Sequence, residues 1–547
     1  MAFFLSAFKS SGDNSEAHAS AIPAEVESGS EKGDYIDSKD GEGSSVQVVN
    51  PGELTFEEDT AGGMGRHLGV FSCTLLIVGR IIGTGIFSTP SSILNSVGSV
   101  GASLMLWILG FVLSFCGLFI WLEFGSMFPR SGGEKVYLEA VYRKPRYLAT
   151  VIFSMQAILL GFTASGCIVS SLASVSARRI TTDRWTERGI ALGVIFFATF
   201  LHGFAPRVGV YFMNALSLLK IFILLFVVIT GWVVLSGKTR IEDPHVNFRN
   251  AFAGSSHSSN DYATATFKVL NAYAGWSGVN YVMNDVKNPV RTLKIAGPLG
   301  LSLVTILYML ANVAYFSAAS KPQILKSGVT VASLFFKNVF GTKAQKALSV
   351  FVALRQTFSA ARVNQELAKE GVPLPFGNRF WASNWPTGKS PLPGLIIHLI
   401  PSVIVIIAPP PSVAYPFILD VEGYPQQIIN LFIVLVPKLT TSYHFSVWLP
   451  LAFFFLAAAV FCTMFIIALL ITPFLHPANK VGDTPPLPYY LYCLVGIGVL
   501  TFGVLYWASW RIILPKVFGY ELVPRKEVLE DGTVVALDLD SCNNRYH

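Results

Sequence analysis

The sequence predicts an all-α membrane protein whose chain crosses the bilayer twelve times. Hydrophobic residues make up 52% of the chain and charged residues only 13%, whereas soluble domains carry about 25% charged residues. The mean hydropathy is +0.53. The apolar residues also fall into separate segments of about 20 residues, the length that a helix needs to cross a bilayer.

Twelve apolar segments follow one another along the chain, and the eighth and tenth are the weakest candidates. An even number of crossings places both chain ends on the same side of the membrane. Basic residues between the second and third segments, at positions 130–146, favour the cytoplasm, although arginines at positions 178–188 reduce this bias. The predicted segments are 68–94, 101–127, 147–173, 189–204, 208–235, 264–285, 295–319, 346–361, 392–408, 412–436, 447–472 and 487–512.

Two tails flank the predicted transmembrane domain of residues 67–515. Residues 1–66 are polar, acidic and rich in Ser and Gly, so they cannot bury a core and are expected to be disordered. Residues 516–547 form a second cytoplasmic tail. Lysines of the first tail could serve ubiquitin-driven endocytosis through arrestin-type adaptors, and the alternative is a merely flexible terminus. These lysines are Lys9, Lys32 and Lys39.

Several function classes find no support in the sequence. The net charge of +7 is spread over short loops, which does not indicate nucleic-acid binding. No His, Cys and carboxylate spacing suggests a metal, and no Gly-rich loop followed by Lys suggests ATP. No nucleophile is paired with a base, so an enzyme is not expected. Transport through a membrane would then draw its energy from a gradient, without a cofactor.

The first apolar segment is interrupted at its midpoint by Gly79–Phe87, which reads Gly-Arg-Ile-Ile-Gly-Thr-Gly-Ile-Phe. Its closely spaced glycines lower helix propensity. Within a bilayer, unwound backbone is tolerated only where it is buried in protein or lines a polar cavity. The break therefore predicts a ligand site, and the alternative is a packing face made of small residues.

The sixth apolar segment carries a second interruption at Asn271–Asn280, where small and polar residues are crowded together. The two interrupted segments stand five apart, as expected for inverted repeats at about 67–236 and 263–437, with two further helices at about 447–512. Paired interruptions at corresponding positions are a strong indication of a substrate site at the membrane midplane.

Four blocks of residues resemble motifs of the amino acid–polyamine–organocation superfamily. Within it, they are most similar to the fungal methionine permeases, a branch similar to the L-type amino acid transporters. The resemblance runs from about residue 66 to 525 and implies the leucine-transporter fold and uptake of neutral amino acids across the plasma membrane. The blocks are Gly79–Pro90, Phe128–Glu134, Asn280–Val282 with Val286–Leu293, and Arg362–Gly371.

An amino acid brings a carboxylate and an ammonium into the protein, and neither can remain unpaired there. The backbone N–H groups of Thr84, Gly85 and Ile86 are predicted to hold the carboxylate, since a helix begins at these residues. Backbone carbonyls are predicted to accept from the ammonium. The resemblance implies the same backbone positions. The predicted carbonyls are those of Ile81, Ile82, Asn271 and Ala272.

The predicted side-chain pocket consists of Tyr273, Gly275 and Trp276, with Asn271 beside it. Aromatic walls suit a thioether, because sulfur packs well against ring edges. The alternative is that Tyr273 and Trp276 only pack the helix bundle.

Lys220 lies in the middle of the fifth apolar segment, where a charge is expensive and usually functional. In sodium-independent relatives a lysine of the fifth helix takes the place of a sodium site, and Lys220 matches that position. The prediction is coupling to a proton, or sodium-free exchange. The alternative is a lysine that snorkels towards the membrane surface.

The eighth segment, near 346–361, departs from the pattern because its apolar run ends at Arg355. About 20 residues are needed to span the bilayer, and fewer are available here. This shortening keeps two alternatives open beside transport. One is an amino acid sensor or receptor, and the other is a transport-deficient paralogue.

Overall fold

A computed structural model provides the structure of the chain. It describes residues 66–83, 85–142, 144–160, 184–327, 331–341, 344, 365, 368–369, 378–385, 392–407, 411–435, 449–477, 487–519, 521–529 and 533–541. The predicted eighth segment, Thr84 and nearly all of the first tail lie outside the described residues.

The first five predicted segments correspond to helices in the described part of the chain. The first segment is divided into α1 and α2, as the interruption predicted. Ser99 caps the next long helix, because its hydroxyl accepts a hydrogen bond from the Ala102 N–H at 3.3 Å. The bounds are α1 Val70–Ile81, α2 Gly85–Val97, α3 Val100–Met127, α4 Glu134–Val141, α5 Leu148–Leu159, α6 Arg184–Phe204 and α7 Pro206–Leu235.

The sixth predicted segment is also divided, into a helix and a 3₁₀ helix. The helices from there onward are α8 Val246–Arg249, α9 Ser259–Tyr273, the 3₁₀ helix Trp276–Asp285, α10 Pro289–Ala318, α11 Lys321–Lys326, α12 Val331–Phe340, α13 Asn378–Ala382, α14 Leu392–Ile407, α15 Pro411–Val434, α16 Leu449–Ile471 and α17 Leu491–Ala508. A short 3₁₀ turn at Thr472–Phe474, a π-helical turn at Ser509–Ile513 and α18 Leu514–Phe518 complete the helical part.

Within the described residues, six helical stretches are long and apolar enough to cross a membrane. Four shorter apolar helices, of 10–17 residues, accompany them at 148–159, 331–340, 392–407 and 459–474. The total of twelve crossings stays a prediction. The six long stretches are Val70–Val97, Val100–Met127, Trp185–Phe204, Asn214–Leu235, Pro289–Ala318 and Leu491–Phe518.

Close helix packing surrounds the first interrupted segment. Helix α1 packs against α7 and α10, and α2 packs against α9. Small residues allow these approaches: a Cβ added to Gly300 of α10 would lie 2.8 Å from Cγ2 of Ile77 in α1. Gly231 of α7 approaches the Ala314 methyl of α10 even more closely. Close contact between backbones is the usual way in which helices associate within a bilayer.

The C-terminal tail corrects the all-helical prediction. Strands β1 Glu521–Val528 and β2 Val534–Ser541 pair antiparallel, with Glu521 opposite Ser541. The hairpin contacts the region of α13 through Asn384 Nδ2, which donates to Thr533 Oγ1 at 3.2 Å. The chain is therefore mostly helical, with one hairpin in its second tail. The sequence did carry a signal, because Asp-Gly at 531–532 stands between two runs that favour strands.

Candidate functional site

The two predicted interruptions face each other. Helix α1 ends at Ile81, and Ile82 leaves the helical conformation with φ −69° and ψ 83°. Helix α9 ends at Tyr273, and the next residue, Ala274, is extended with φ −57° and ψ 139°. A Cβ added to Gly85 would lie 2.9 Å from both Cα and Cβ of Ala272. The two broken segments are therefore in direct backbone contact, and only glycine fits at position 85.

Gly275 makes the second break possible. Its φ of 120° is a conformation that L-residues with a side chain rarely adopt. The chain turns at this residue from α9 into the 3₁₀ helix that begins at Trp276. The carbonyl of Asn271, one of the predicted acceptors, receives the Ala274 N–H at 3.1 Å. That carbonyl therefore serves the end of α9 in this structure.

The predicted carboxylate-binding residues lie at the start of α2. Gly85 and Ile86 are its first two residues, while Thr84 is outside the described residues. The first N–H groups of a helix have no acceptor within the helix, and they carry the positive end of its dipole. The start of α2 therefore has the chemistry of an anion site, next to the second break.

A tyrosine that the sequence did not single out joins two of the predicted acceptors. The single O–H of Tyr308 in α10 is shared between the Ile81 carbonyl at 2.7 Å and the Ala272 carbonyl at 3.2 Å. Its ring is fully buried and contacts Trp107 edge-on, with the ring centroids 5.5 Å apart. The hydroxyl thereby ties the ends of α1 and α9 together. Ile82, the fourth predicted acceptor, is buried beside them.

The predicted pocket residues fall into two groups. Asn271, Gly275 and Trp276 line a cavity of about 310 Å³ on one side of the second break. Tyr273 is fully buried instead, with its ring 5.7 Å from that of Trp107 and 5.3 Å from that of Tyr308. In this structure Tyr273 packs the core of the bundle, and Trp276 faces the open space.

Lys220 reaches the first break from α7. Its side chain is buried, and Nζ donates to the Gly79 carbonyl of α1 at 3.3 Å. The last carbonyls of a helix carry the negative end of its dipole, so an ammonium is stabilised there. The structure thus brings the Lys220 ammonium to the end of α1. The carbonyl that it contacts, that of Gly79, lies two residues before the Ile81 carbonyl that accepts from Tyr308.

Arg80 is a further charged group that the sequence interpretation missed. It precedes Ile81 in α1, and its side chain crosses the second break where two glycines leave room. A Cβ added to Gly275 would lie 2.7 Å from Arg80 Cγ, and one added to Gly278 would lie 3.0 Å from Cδ. The guanidinium carbon lies 5.0 Å from the centroid of the Tyr281 ring. A charge inside an apolar segment was the available signal.

Glu134 is the carboxylate near Arg80. It begins α4, between the second and third apolar segments, and its side chain is buried. Ser277 Oγ donates to Glu134 Oε1 at 3.4 Å. Burial raises the pKa of the Glu134 carboxyl, while contacts with Tyr281 and the charge of Arg80 act in the opposite direction. Glu134 and Arg80 both line the cavity that reaches Trp276.

The part of the chain that the structure describes contains no set of side chains that could coordinate a metal ion. There, no three His, Cys, Asp or Glu side chains cluster closely enough to hold a metal ion. The groups at the breaks are backbone N–H and carbonyl groups, a hydroxyl and two cations. Such groups suit a small ligand that carries both a negative and a positive charge.

The family model described as amino acid permease matches residues 68–500, a range that contains both breaks and Lys220. The chain belongs to the amino acid permease family. The resemblance predicted from the four sequence blocks is thereby confirmed. Families of this kind are membrane transporters, so the expectation that the chain is not an enzyme agrees with the match.

Individual relatives agree with the family match. The high-affinity methionine permease of Saccharomyces cerevisiae is 36% identical over 483 residues, which cover 85% of this chain and 83% of that protein. The low-affinity methionine permease of the same yeast is 32% identical, over 86% of this chain and 87% of its own length. The b(0,+)-type amino acid transporter 1 of Oryctolagus cuniculus is 29% identical, over 64% of this chain and 72% of its own.

The Tyr308 hydroxyl gives a prediction about stability. In Tyr308→Phe the Ala272 carbonyl loses this donor and the Ile81 carbonyl keeps only the Gly83 N–H in the described part of the chain, so the free energy of unfolding should fall by about 1–3 kcal/mol. The matched control is Tyr315→Phe on the same helix, because the buried Tyr315 hydroxyl has no hydrogen-bond partner among the described residues. Thermal unfolding of the purified variants measures the difference, and equal melting temperatures for both would contradict the role of Tyr308.

Proposed function

We propose that this protein imports neutral L-amino acids, with methionine as the first candidate, across the plasma membrane by alternating access. The direct contact between Gly85 and Ala272 carries the proposal, because it brings two midplane breaks together into one site. A membrane bundle tolerates unwound backbone where it is buried in protein or lines a cavity, and paired breaks of this kind are typical of substrate sites. The proposed architecture is the leucine-transporter fold with twelve crossings and both termini in the cytoplasm.

The two ends of an amino acid have matching partners at the breaks. The start of α2 offers N–H groups to the carboxylate. The carbonyls of Ile81 and Ala272 converge on one point, which the Tyr308 hydroxyl now occupies. An ammonium placed there would receive the same acceptors and could share them with that hydroxyl. We infer that the α-amino and α-carboxyl groups bind between the breaks.

Methionine is proposed on two grounds. Two of the most similar relatives are named methionine permeases, and they cover most of this chain. The cavity beside the second break is also partly aromatic, because the rings of Trp121 and Trp276 both line it, with their centroids 5.4 Å apart. Thioether sulfur packs favourably against aromatic rings.

Lys220 is proposed as the coupling residue. Its ammonium holds the end of α1 through the Gly79 carbonyl, so gain or loss of its proton would change how that end is held. A buried lysine can exchange between charged and neutral forms during a transport cycle. Proton symport is therefore the proposed coupling mode. Arrestin-type adaptors and ubiquitin remain proposed partners of the N-terminal tail.

The first test is uptake of labelled L-methionine by cells that lack their own methionine permeases. Expression of this chain should produce uptake that unlabelled methionine inhibits and that a protonophore reduces at least severalfold. Uptake that requires sodium and ignores the protonophore would refute the coupling mode. Surface expression without any methionine uptake would refute the substrate.

Gly85→Ala tests the contact between the breaks. The added Cβ would collide with Ala272, so uptake per surface molecule should fall by tenfold or more. Gly193→Ala is the matched control, because a Cβ added to this helical glycine meets open space and uptake should stay normal. The double variant Gly85→Ala, Ala272→Gly removes one of the two clashing atoms and should recover part of the uptake. Normal uptake by Gly85→Ala alone would contradict the proposed site.

Lys220→Ala tests the coupling residue. Uptake of labelled methionine should fall by tenfold or more, and the remaining uptake should no longer respond to a protonophore, because the titrating group at α1 is gone. Lys238→Ala is the matched control, since Lys238 is an exposed lysine just beyond the same helix. A loss of uptake that only follows the loss of surface protein would mean that Lys220 is structural.

A further inference from the structure

Two cysteines from different apolar helices meet beside the cavity at the second break. Cys116 lies near the middle of α3 and Cys462 near the middle of α16, and these two helices pack against each other. The two thiols are in hydrogen-bond contact with each other, and both cysteines are free in this structure. Neither thiol belongs to the substrate contacts proposed at the breaks or to the proposed coupling through Lys220.

Both thiols are within reach of a small molecule. Cys116 is partly exposed, and Cys462, although only 5% exposed, forms part of the cavity wall. The exposure of a thiol and the groups beside it decide whether it reacts. Two other described cysteines have different surroundings. Cys73 and Cys493 are fully buried, and Cys493 contacts Tyr492 rather than a second thiol.

A pair of thiols in contact is close to the geometry of a disulfide. That bond needs sulfur atoms about 2.0 Å apart on Cα atoms roughly 4.4–6.8 Å apart. Rotation about one Cα–Cβ bond moves each sulfur, and the helices that carry Cys116 and Cys462 are already packed together. The two cysteines can therefore be joined while α3 and α16 stay folded.

A bond between these cysteines would connect two walls of the cavity. Gly117 of α3 and Ile466 of α16 both line it. A Cβ added to Gly117 would lie 3.1 Å from Cζ2 of Trp276, so α3 directly contacts this residue of the predicted side-chain pocket. Cys116 is the neighbour of Gly117 in the chain. A disulfide to Cys462 would thus fix the separation of the two walls beside Trp276.

We propose that Cys116 and Cys462 form an oxidative modification site, at which a peroxide joins α3 to α16 through a reversible disulfide and thereby slows transport. The effect on transport rests on the proposed function, because alternating access requires the walls around the substrate to move. The thiol chemistry does not depend on that function. Thiol reductants such as glutathione restore both cysteines by thiol–disulfide exchange.

The reaction balances with hydrogen peroxide as its oxidant. The sulfur of one cysteine attacks a peroxide oxygen, the O–O bond breaks, and a sulfenic acid and one water are formed. The sulfur of the second cysteine then attacks the sulfenic sulfur, so that the S–S bond forms and a second water leaves. The two sulfur atoms give up two electrons to the peroxide, and both thiol hydrogens leave in the water.

Thiol counting and peptide mapping test the chemistry in membranes that contain the full-length protein. After treatment with hydrogen peroxide and denaturation, two fewer of the six cysteines should react with a maleimide. Mass spectrometry should find the peptide of Cys116 linked to that of Cys462, and dithiothreitol should release both, while Cys73 stays a thiol. Unlinked thiols at 116 and 462, or a link from either to another cysteine, would overturn the proposal.

Uptake of labelled L-methionine tests the consequence for transport. Hydrogen peroxide should lower uptake by about fivefold or more, because a cross-link between two walls hinders the conformational step, and dithiothreitol should restore it. Cys116→Ser and Cys462→Ala cannot form the bond, so the ratio of treated to untreated uptake should stay near one in both. Cys493→Ser is the matched control, and its ratio should fall as it does in the unchanged chain.

The two measurements separate the possible failures. Equal inhibition by peroxide in Cys116→Ser, Cys462→Ala and the unchanged chain would overturn the link between the disulfide and transport. Normal methionine uptake without a disulfide would overturn the modification site and leave the proposed function standing. If the unchanged chain takes up no methionine, the proposed function and the transport effect both fail, and peptide mapping still decides whether the disulfide forms.

Discussion

The structure depends on one constraint: backbone that leaves a helix inside a bilayer must find new hydrogen-bond partners. Two segments leave the helical conformation in this way, one at Ile82 and the other at Ala274. The freed carbonyls are not left to water. Tyr308 takes those of Ile81 and Ala272, and Lys220 takes that of Gly79. Helices α7 and α10 thus supply partners for carbonyls freed at the breaks, and α1 packs against both of them.

The same constraint explains which parts of the site the sequence predicted. A break is a local property of the backbone. The glycines at positions 83 and 85 therefore indicated the first break, and the small residues around Gly275 indicated the second. Lys220 was visible because a charge in the middle of an apolar segment is expensive and usually functional. The long helices followed from apolar segment length alone. These predictions needed no knowledge of which segment touches which.

The groups that the sequence did not indicate depend on tertiary contacts. Tyr308 is one of several aromatic residues in its segment, and only packing directs its hydroxyl to two carbonyls at once. Arg80 had a visible charge, but its course over Gly275 and Gly278 requires the folded pair of segments. The hairpin of β1 and β2 was not predicted for another reason, since its Asp-Gly turn lies in a tail outside the apolar segments on which the helix predictions rest.

The electrostatics of the first break link substrate binding to charge movement. Lys220 already stabilises the negative end of α1, and Arg80 adds a second cation one residue after Gly79. Under the proposed function, a substrate ammonium at the Ile81 carbonyl would add a third positive charge near this break, while the substrate carboxylate at the start of α2 would add a negative one. Proton symport requires the effect of the carboxylate to dominate, so that bound substrate favours the charged form of Lys220 and, by linkage, protonation of Lys220 favours substrate binding. The buried position of Lys220 would strengthen such coupling, because water screens these charges only weakly there.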